Sequence, residues 1–326
     1  MLSLCAPVTA EIRLATKQGG LTAEQWGGII AKLAALVNEF KVSGLELLDT
    51  EARRQVLDAL EQGGKYFHLL IAEAPADDLQ LLGELRRLAH FGSLVVDYLP
   101  EEAELAPEEA SRYSDLREFC ERALAVGAEV NASVELGEWA CRHLESIIEA
   151  SYDLGASSVI CNRVLLNGTD AVSEETLTAA LTSLGKMRDM SYSVSLGNCV
   201  PNCFSHLGER GCLGGVVSAF VNEKGQLLPC RCSAEEGMSL LDCSVSEAWH
   251  SPALEAWRQK LPAPCAQCAK GDLCPGGCRA AGCAGHPGDP LIRAPYCAEV
   301  EELHEVVLEE DLCPRPLYIT RNEEFG

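Results

Sequence analysis

The run Cys265-Ala266-Gln267-Cys268-Ala269-Lys270-Gly271-Asp272-Leu273-Cys274-Pro275-Gly276-Gly277-Cys278 brings four thiols together, spaced by two, five and three residues. An iron–sulfur cube needs about four soft ligands converging on a small core, and cysteines two residues apart on a turn reach two corners of it. Pro264, Gly271, Pro275, Gly276 and Gly277 make turns and leave peptide N–H groups free to point at sulfur. The segment therefore reads as a loop moulded on an inorganic core. Working outward, Cys297 follows after 18 more residues. Upstream, Cys212 is separated by twelve residues from Gly225, and Gly225 by four from Cys230. Val216 to Asn222 is β-rich and Gln226 to Leu228 lead straight into Cys230, so Gly225 reads as a hairpin turn.

Eight thiolates also suit two zinc sites of four cysteines each. Zinc ribbons, however, usually pair two short CxxC clips across a longer insert, and Cys265–Cys268 is the one CxxC here. A disulfide framework belongs to small exported domains. Met1 to Leu14 lacks the basic segment, apolar stretch and cleavage site of a signal peptide, so none is expected, and the 17 cysteines point to a reducing, oxygen-protected cytoplasm. No run approaches eighteen apolar residues, so no membrane span is expected.

The 326 residues carry 49 acidic against 26 basic side chains, a formal net charge of −23. A field of that sign repels phosphate backbones and disfavours nucleic acid. Glu101 to Glu109 and the tail from Glu301 onward concentrate the acidity, as a solvated surface or as a docking face for a basic partner or leader peptide. Glu301 to Asp311 reads as an amphipathic helix.

Through the first two hundred residues, β-rich stretches alternate with helical periodicity. Strands are expected over 8–14, 44–48, 66–72, 93–98, 128–134 and 157–166, with a last piece near 192–196. Helices are expected over 22–39, 52–62, 79–89, 111–126, 138–154 and 173–190. Thr22 with Gln25 fits a capping box, and Ser173 a helix N-cap. Six tandem βα units imply a parallel sheet with right-handed crossovers.

Seven of the cysteines between positions 212 and 297 (Cys212, Cys230, Cys265, Cys268, Cys274, Cys278 and Cys297), with Gly225 and Gly276-Gly277-Cys278-Arg279, resemble the SPASM domain that carries two auxiliary iron–sulfur clusters in peptide-modifying radical SAM enzymes. The resemblance covers about Cys199 to Val300 and implies two [4Fe-4S] clusters. Cys212, Cys230 and Cys278 would hold the first, with Cys203 as fourth ligand and Cys199 as the alternative. Cys265, Cys268, Cys274 and Cys297 would hold the second, so Cys278 sits in one cluster's run and ligates the other. Six βα units followed by such a segment resemble that family's partial (β/α)6 barrel; the Leu21 to Gln25 helix start and Asn162-Arg163 with Gly168 fit its first helix and sixth strand. The implied organisation is an α/β barrel over 1–198, the cluster domain over 199–300 and a C-terminal helix and tail over 301–326.

The chain departs from the family at the cofactor site. Radical SAM enzymes carry CxxxCxxC directly after the first strand, whereas Ala15-Thr16-Lys17-Gln18-Gly19-Gly20 contains no cysteine. After the second strand the family places a glycine-rich acidic motif that holds the methionine amino group, and the second strand read at 44–48 leaves Leu48-Asp49-Thr50-Glu51-Ala52 in that place. Both halves of the site are expected to be missing, and no S-adenosylmethionine is expected to bind. Cys199-x3-Cys203-x2-His206 imitates the spacing at the barrel's exit, away from the strand-end mouth where (β/α) enzymes do chemistry.

Cys120, Cys141 and Cys161 read as core thiols, Cys232, Cys243, Cys283 and Cys313 as bystanders, and Cys5 stands alone ahead of the first strand. His68, His90, His143, His250, His286 and His304 show no paired metal spacing. The expected function is that of a pseudo-radical-SAM protein, transferring electrons or presenting substrate to an authentic radical SAM partner in a hetero-oligomer. The rival is an enzyme that binds substrate at an open iron of an auxiliary cluster.

Overall fold

The computed structural model describes residues 4–98, 107–163, 165–166, 169–170, 172–197, 212–233, 235–260 and 278–280. Ten strands within them form one sheet: β1 (Thr9–Arg13), β2 (Glu39–Ser43), β3 (Tyr66–Ile71), β4 (Phe91–Asp97), β5 (Val130–Leu136), β6 (Ser158–Arg163), β7 (Val194–Leu196), β8 (Ser218–Val221), β9 (Gln226–Leu228) and β10 (Met238–Ser239). Their spatial order is β7-β6-β5-β4-β3-β2-β1-β8-β9-β10, parallel from β7 to β8 and antiparallel from there to β10. The helices are α1 (Ala23–Ala34), α2 (Thr50–Gln62), α3 (Asp78–Leu85), α4 (Pro107–Ala125), α5 (Glu138–Arg142), α6 (Leu144–Leu154), α7 (Glu174–Asp189), α8 (Val245–Trp249) and α9 (Pro252–Gln259). The alternation of elements implied the parallel sheet, and the fold is the partial (β/α)6 barrel that the family resemblance implied.

Each strand of the barrel sends alternate side chains to opposite faces. Ala10 and Ile12 of β1, Phe40 and Val42 of β2, Phe67 and Leu69 of β3 and Val134 of β5 are fully buried in a core shared with Trp26, Ile30 and Leu33 of α1 and Val56 and Leu60 of α2. The opposite positions are polar. Thr9, Glu11 and Arg13, then Glu39, Lys41 and Ser43, line up in register across β1 and β2. An interior of this kind serves a ligand site better than a packed apolar core does, because buried polar groups need partners.

Local signals fixed most element starts. Thr22 accepts from the Gln25 amide while the Gln25 side chain accepts from the Thr22 amide, the expected capping box. Ser173 caps α7 through the Thr176 amide. The expected helix over 138–154 is broken at His143, whose ring stacks on Trp139 at 4.3 Å. Helices α8 and α9 went unread, although Ser244 with Glu247 forms a capping box and Ser251 with Pro252 starts the next helix.

The second strand is a correction. It runs over Glu39–Ser43, and the stretch expected as that strand, 44–48, is instead a tight turn with one 3-10 helix at Leu45–Leu47. The apolar look of Leu45, Leu47 and Leu48 suggested a strand, but a strand lining a polar interior shows alternation instead, as Glu39-Phe40-Lys41-Val42-Ser43 does. The first helix accordingly ends at Ala34, short of the expected 39. Helix 301–311, the acidic run at 101–106 and the domain boundary near 198 lie outside the described residues.

Candidate functional site

At the C-terminal mouth of the barrel, the connection after β1 is a short β-hairpin pairing Ala15–Thr16 with Gly19–Gly20. Trp26 of α1, fully buried, donates its indole N–H to the Leu14 carbonyl at 3.0 Å and holds the point where the chain leaves the strand. The hairpin rests on the turn after β2. Gly44 has φ +78°, and a Cβ there would stand 2.6 Å from the Ala15 carbonyl oxygen and 2.9 Å from its nitrogen, so a glycine is required by both dihedral and space.

Because β2 ends at Ser43, the segment after it is Gly44-Leu45-Glu46 and not Leu48 to Ala52. A glycine and an acidic residue therefore do follow the second strand. The expectation that this half of the site is missing came from the misplaced strand and does not hold. One Glu46 carboxylate oxygen is buried without a hydrogen-bond partner among the described residues. Burial pushes the Glu46 carboxyl above its ordinary range, and the nearby charges of Glu73 and Asp97 add to the push. Asp97, at the end of β4, is raised by burial and by Glu135 at the end of β5, while Arg112 stands 3.6 Å away. The mouth thus gathers the carboxylates of Glu46, Glu73, Asp97 and Glu135, with Lys17 paired to Glu73 and Arg112 beside Asp97.

Deeper in the barrel, His68 Nδ1 meets Ser93 Oγ at 2.8 Å, Asn131 donates to the same oxygen at 2.9 Å, and Ser158 donates to Asn131 Oδ1 at 2.6 Å. Burial, with Lys41 nearby, lowers the His68 pKa to about 4, so the ring is neutral at neutral pH. Lys41 is lowered by burial against the pull of Glu11 and Glu39. At the N-terminal ends of β3 to β6 a cavity of about 960 Å³ opens, lined in part by Tyr66, Gly92, Asn131 and Ser158.

The second region is carried by the β8–β9 hairpin, turned at Gly225 (φ +75°) as expected, with β8 paired along β1. Trp257 of α9, buried, donates to the Gly214 carbonyl at 3.0 Å, and Arg258 Nε donates to that of Gly215 at 2.6 Å. These bonds fix the turn that follows Cys212. Arg279 Nη1 donates to the Cys212 carbonyl at 3.0 Å. Cys278, Ala280 and Trp257 form a small apolar cluster on which Cys230 packs. The structure thereby brings Cys212, Cys230 and Cys278 together from three separate segments. Burial raises the Cys230 thiol well above its ordinary range, and the neighbouring Cys212, Cys232 and Cys278 add to it. The Cys230–Cys232 turn also sends Arg231 toward the barrel, to 3.8 Å from Glu11 and 3.5 Å from Asn162 Oδ1.

Among the described residues, no three Cys, His, Asp or Glu side chains converge closely enough for one metal ion. Thiolates on one zinc ion stand within about 4 Å of each other, given Zn–S of about 2.3 Å. Those on a cluster bind different irons and stand farther apart. The donor chemistry of Cys212, Cys230 and Cys278 fits such a cluster, whereas the hairpin after β1 offers no thiolate for a radical-generating one. Cys199, Cys203, Cys265, Cys268, Cys274 and Cys297 lie outside the described residues. So do His206, His286 and His304, and the bystanders Cys283 and Cys313. Cys120, Cys141 and Cys161 are buried as expected, and the Cys120 thiol is pushed up to about 12 by burial. Sequence reading missed the polar lining of the barrel; its signal was the polar–apolar alternation within β1 and β2.

No family model matches the sequence. A PqqA peptide cyclase of Granulibacter bethesdensis is 27% identical over 199 residues, spanning 55% of this chain and 52% of that protein. The chain thus matches about half the length of this curated relative. SuiB of Streptococcus suis, solved with S-adenosylmethionine, shares the fold at a TM-score of 0.70 and 11% identity, over 90% of this chain and 78% of that one. The structure of SuiB with its precursor peptide SuiA matches at the same TM-score, over 90% and 76%. Native anSMEcpe, solved with AdoMet and the Kp18Cys peptide, matches at 0.66 and 13% identity over 89% and 93%. None of the described helices is long and apolar enough to cross a membrane. Partial similarity in sequence and likeness in fold point the same way: the chain resembles a peptide cyclase over about half its length and shares the fold of SuiB and anSMEcpe.

Proposed function

We propose that this chain works in a peptide-modifying system without generating the radical, holding two auxiliary iron–sulfur clusters that pass electrons or position a peptide for an authentic radical SAM partner. One observation carries the reading: the connection after β1 is a thiolate-free hairpin, closed by Ala15–Gly20 pairing and seated on Gly44. Reductive cleavage of S-adenosylmethionine needs an iron with an open coordination position at the barrel mouth, and the Ala15–Gly20 connection supplies no thiolate for that iron. The convergence of Cys212, Cys230 and Cys278 supports the first auxiliary cluster. For the second, with Cys265, Cys268, Cys274 and Cys297, the support is sequence spacing. One relative is a peptide cyclase, and SuiB and anSMEcpe were solved with peptides bound, which supports a peptide as the molecule presented here.

A second reading, that the chain is itself an enzyme, is favoured by the mouth. Glu46, Asp97 and Glu135 form an acidic wall suited to an ammonium group, so a ligand amine, including that of S-adenosylmethionine, has a place to dock even where no cluster cleaves it. In this reading an open auxiliary iron binds the substrate.

The test is anaerobic reconstitution with iron and sulfide, reduction, and assay for 5′-deoxyadenosine. The isolated chain should form none above background, and product should appear when a radical SAM partner is added. Formation of 5′-deoxyadenosine by the isolated chain would overturn the first reading and return attention to Cys199, Cys203 and His206.

A further inference from the structure

The first cluster needs a fourth thiolate, and residues beside the three that converge already offer one. The chain leaves β9 through Pro229 and turns over Cys230-Arg231-Cys232-Ser233, closed by a 3.1 Å bond from the Ser233 amide to the Cys230 carbonyl. Arg231, between the two cysteines, reaches away to Glu11 and Asn162. The Cys232 thiol is within electrostatic reach of Cys212, Cys230 and Cys278. It is exposed, while Cys212 and Cys278 are buried and Cys230 half-buried. The remaining described cysteines sit on other elements: Cys120 on α4, Cys141 on α5, Cys161 on β6, Cys243 ahead of α8 and Cys5 ahead of β1.

We infer that Cys232, and not Cys203 or Cys199, is the fourth ligand of the first cluster, closing a set of Cys212, Cys230, Cys232 and Cys278 from its solvent side. The inference rests on the iron–sulfur reading of these thiols and deepens it. On binding iron, Cys232 releases its thiol proton, and the turn that carries it is already closed by the Ser233 amide on the Cys230 carbonyl. Cys230 and Cys232 then clamp the cluster at one corner of the β8–β9 hairpin, with Arg231 tying that corner to the barrel mouth.

The full-length protein is reconstituted anaerobically with ferrous iron and sulfide. Iron, acid-labile sulfide and the EPR spectrum of the reduced protein are then compared for the wild type and for Cys232→Ala, Cys203→Ala and Cys199→Ala. The wild type should bind about eight irons, two four-iron clusters. Cys232→Ala should lose about half of them, or retain a three-iron signal, while Cys203→Ala and Cys199→Ala keep the wild-type content. Loss confined to Cys203→Ala or Cys199→Ala overturns the assignment. Alkylation followed by mass spectrometry decides any case in which several variants lose iron. Cys232 should react with iodoacetamide at least tenfold more slowly in loaded than in apo wild-type protein, and equal rates overturn the assignment whatever the variants do. A wild-type protein that takes up zinc and no sulfide instead overturns the iron–sulfur reading itself, and that result is seen before any variant is made.

Discussion

Replacing Gly44 with alanine tests the feature on which the functional reading depends, the docking of the hairpin after β1 onto the turn after β2. Two costs add. A side chain at φ +78° costs about 1–2 kcal/mol relative to glycine. The new Cβ would also lie 2.6 Å from the Ala15 carbonyl oxygen and 2.9 Å from the Ala15 nitrogen. Both are backbone atoms, so no flexible side chain can swing aside, and the hairpin itself must move. Relieving that overlap costs about another 1–2 kcal/mol, in the range of overpacking. The expected loss is about 2–4 kcal/mol, read as a lower urea midpoint at unchanged slope for the apo protein. Gly28 of α1 is the control: it is exposed, and a Cβ there meets nothing within 4 Å, so Gly28→Ala should stabilise by about 0.5–1 kcal/mol through helix propensity. A Gly44→Ala protein as stable as the wild type would refute the docked hairpin and remove the support it lends to a closed, thiolate-free mouth.

The remaining predictions concern the barrel interior and the cysteine region. His68, neutral in the fold with a pKa of about 4 against an ordinary 6.5, makes the folded state bind fewer protons than the unfolded one. Its contribution is therefore fully present at pH 7 and is lost as pH falls from about 6.5 toward 4, by up to about 3 kcal/mol. Glu39 and Asp97, raised by burial, act in the opposite sense, contributing at low pH and losing that contribution as pH rises through their folded values. The comparison of wild type with His68→Gln isolates the histidine: denaturation midpoints measured from pH 7 to 4.5 should converge on acidification, and parallel curves would count against it. Trp257→Phe deletes the indole bond to the Gly214 carbonyl and should cost about 1–3 kcal/mol while broadening the EPR signal of the first cluster; an unchanged spectrum would show that the wall behind Cys230 and Cys278 does not shape it. Cys265→Ala and Cys274→Ala should each remove one cluster and spare the other, and Cys278→Ala should damage the other one. Loss of the same spectroscopic signal in all three variants would refute the interleaved assignment.

How much of this was legible in the sequence varies from element to element for identifiable reasons. The hairpin at Gly225 could be read because a turn needing positive φ between two β-rich stretches leaves a local trace. The caps at Thr22 and Ser173 could be read because side-chain capping involves neighbours three residues apart. The second strand was misread because its neighbours decide its character. Glu39, Lys41 and Ser43 are polar in a strand flanked on both sides, and that makes sense only in a barrel whose interior carries Glu11 and His68 beside them. The error carried over to the site, since Glu46 follows the second strand only when that strand ends at Ser43.

The sequence by itself determined the tandem βα alternation, and with it a parallel sheet. It also determined the lack of any thiolate between the first strand and the first helix, and the register of cysteines that points to iron–sulfur chemistry. Each of these is a matter of spacing along the chain, which periodicity and turn chemistry report directly. Tertiary structure alone decided that the β8–β9 hairpin continues the barrel sheet along β1, that Cys212, Cys230 and Cys278 meet, and that Arg231 reaches Glu11. Glu11 and Arg231 are 220 positions apart, and the paired residues of β1 and β8, such as Thr9 and Ser218, are 209 apart. No local rule couples positions that distant; the pairing of strands and the burial of Trp257 and Arg258 against the Gly214–Gly215 turn do so.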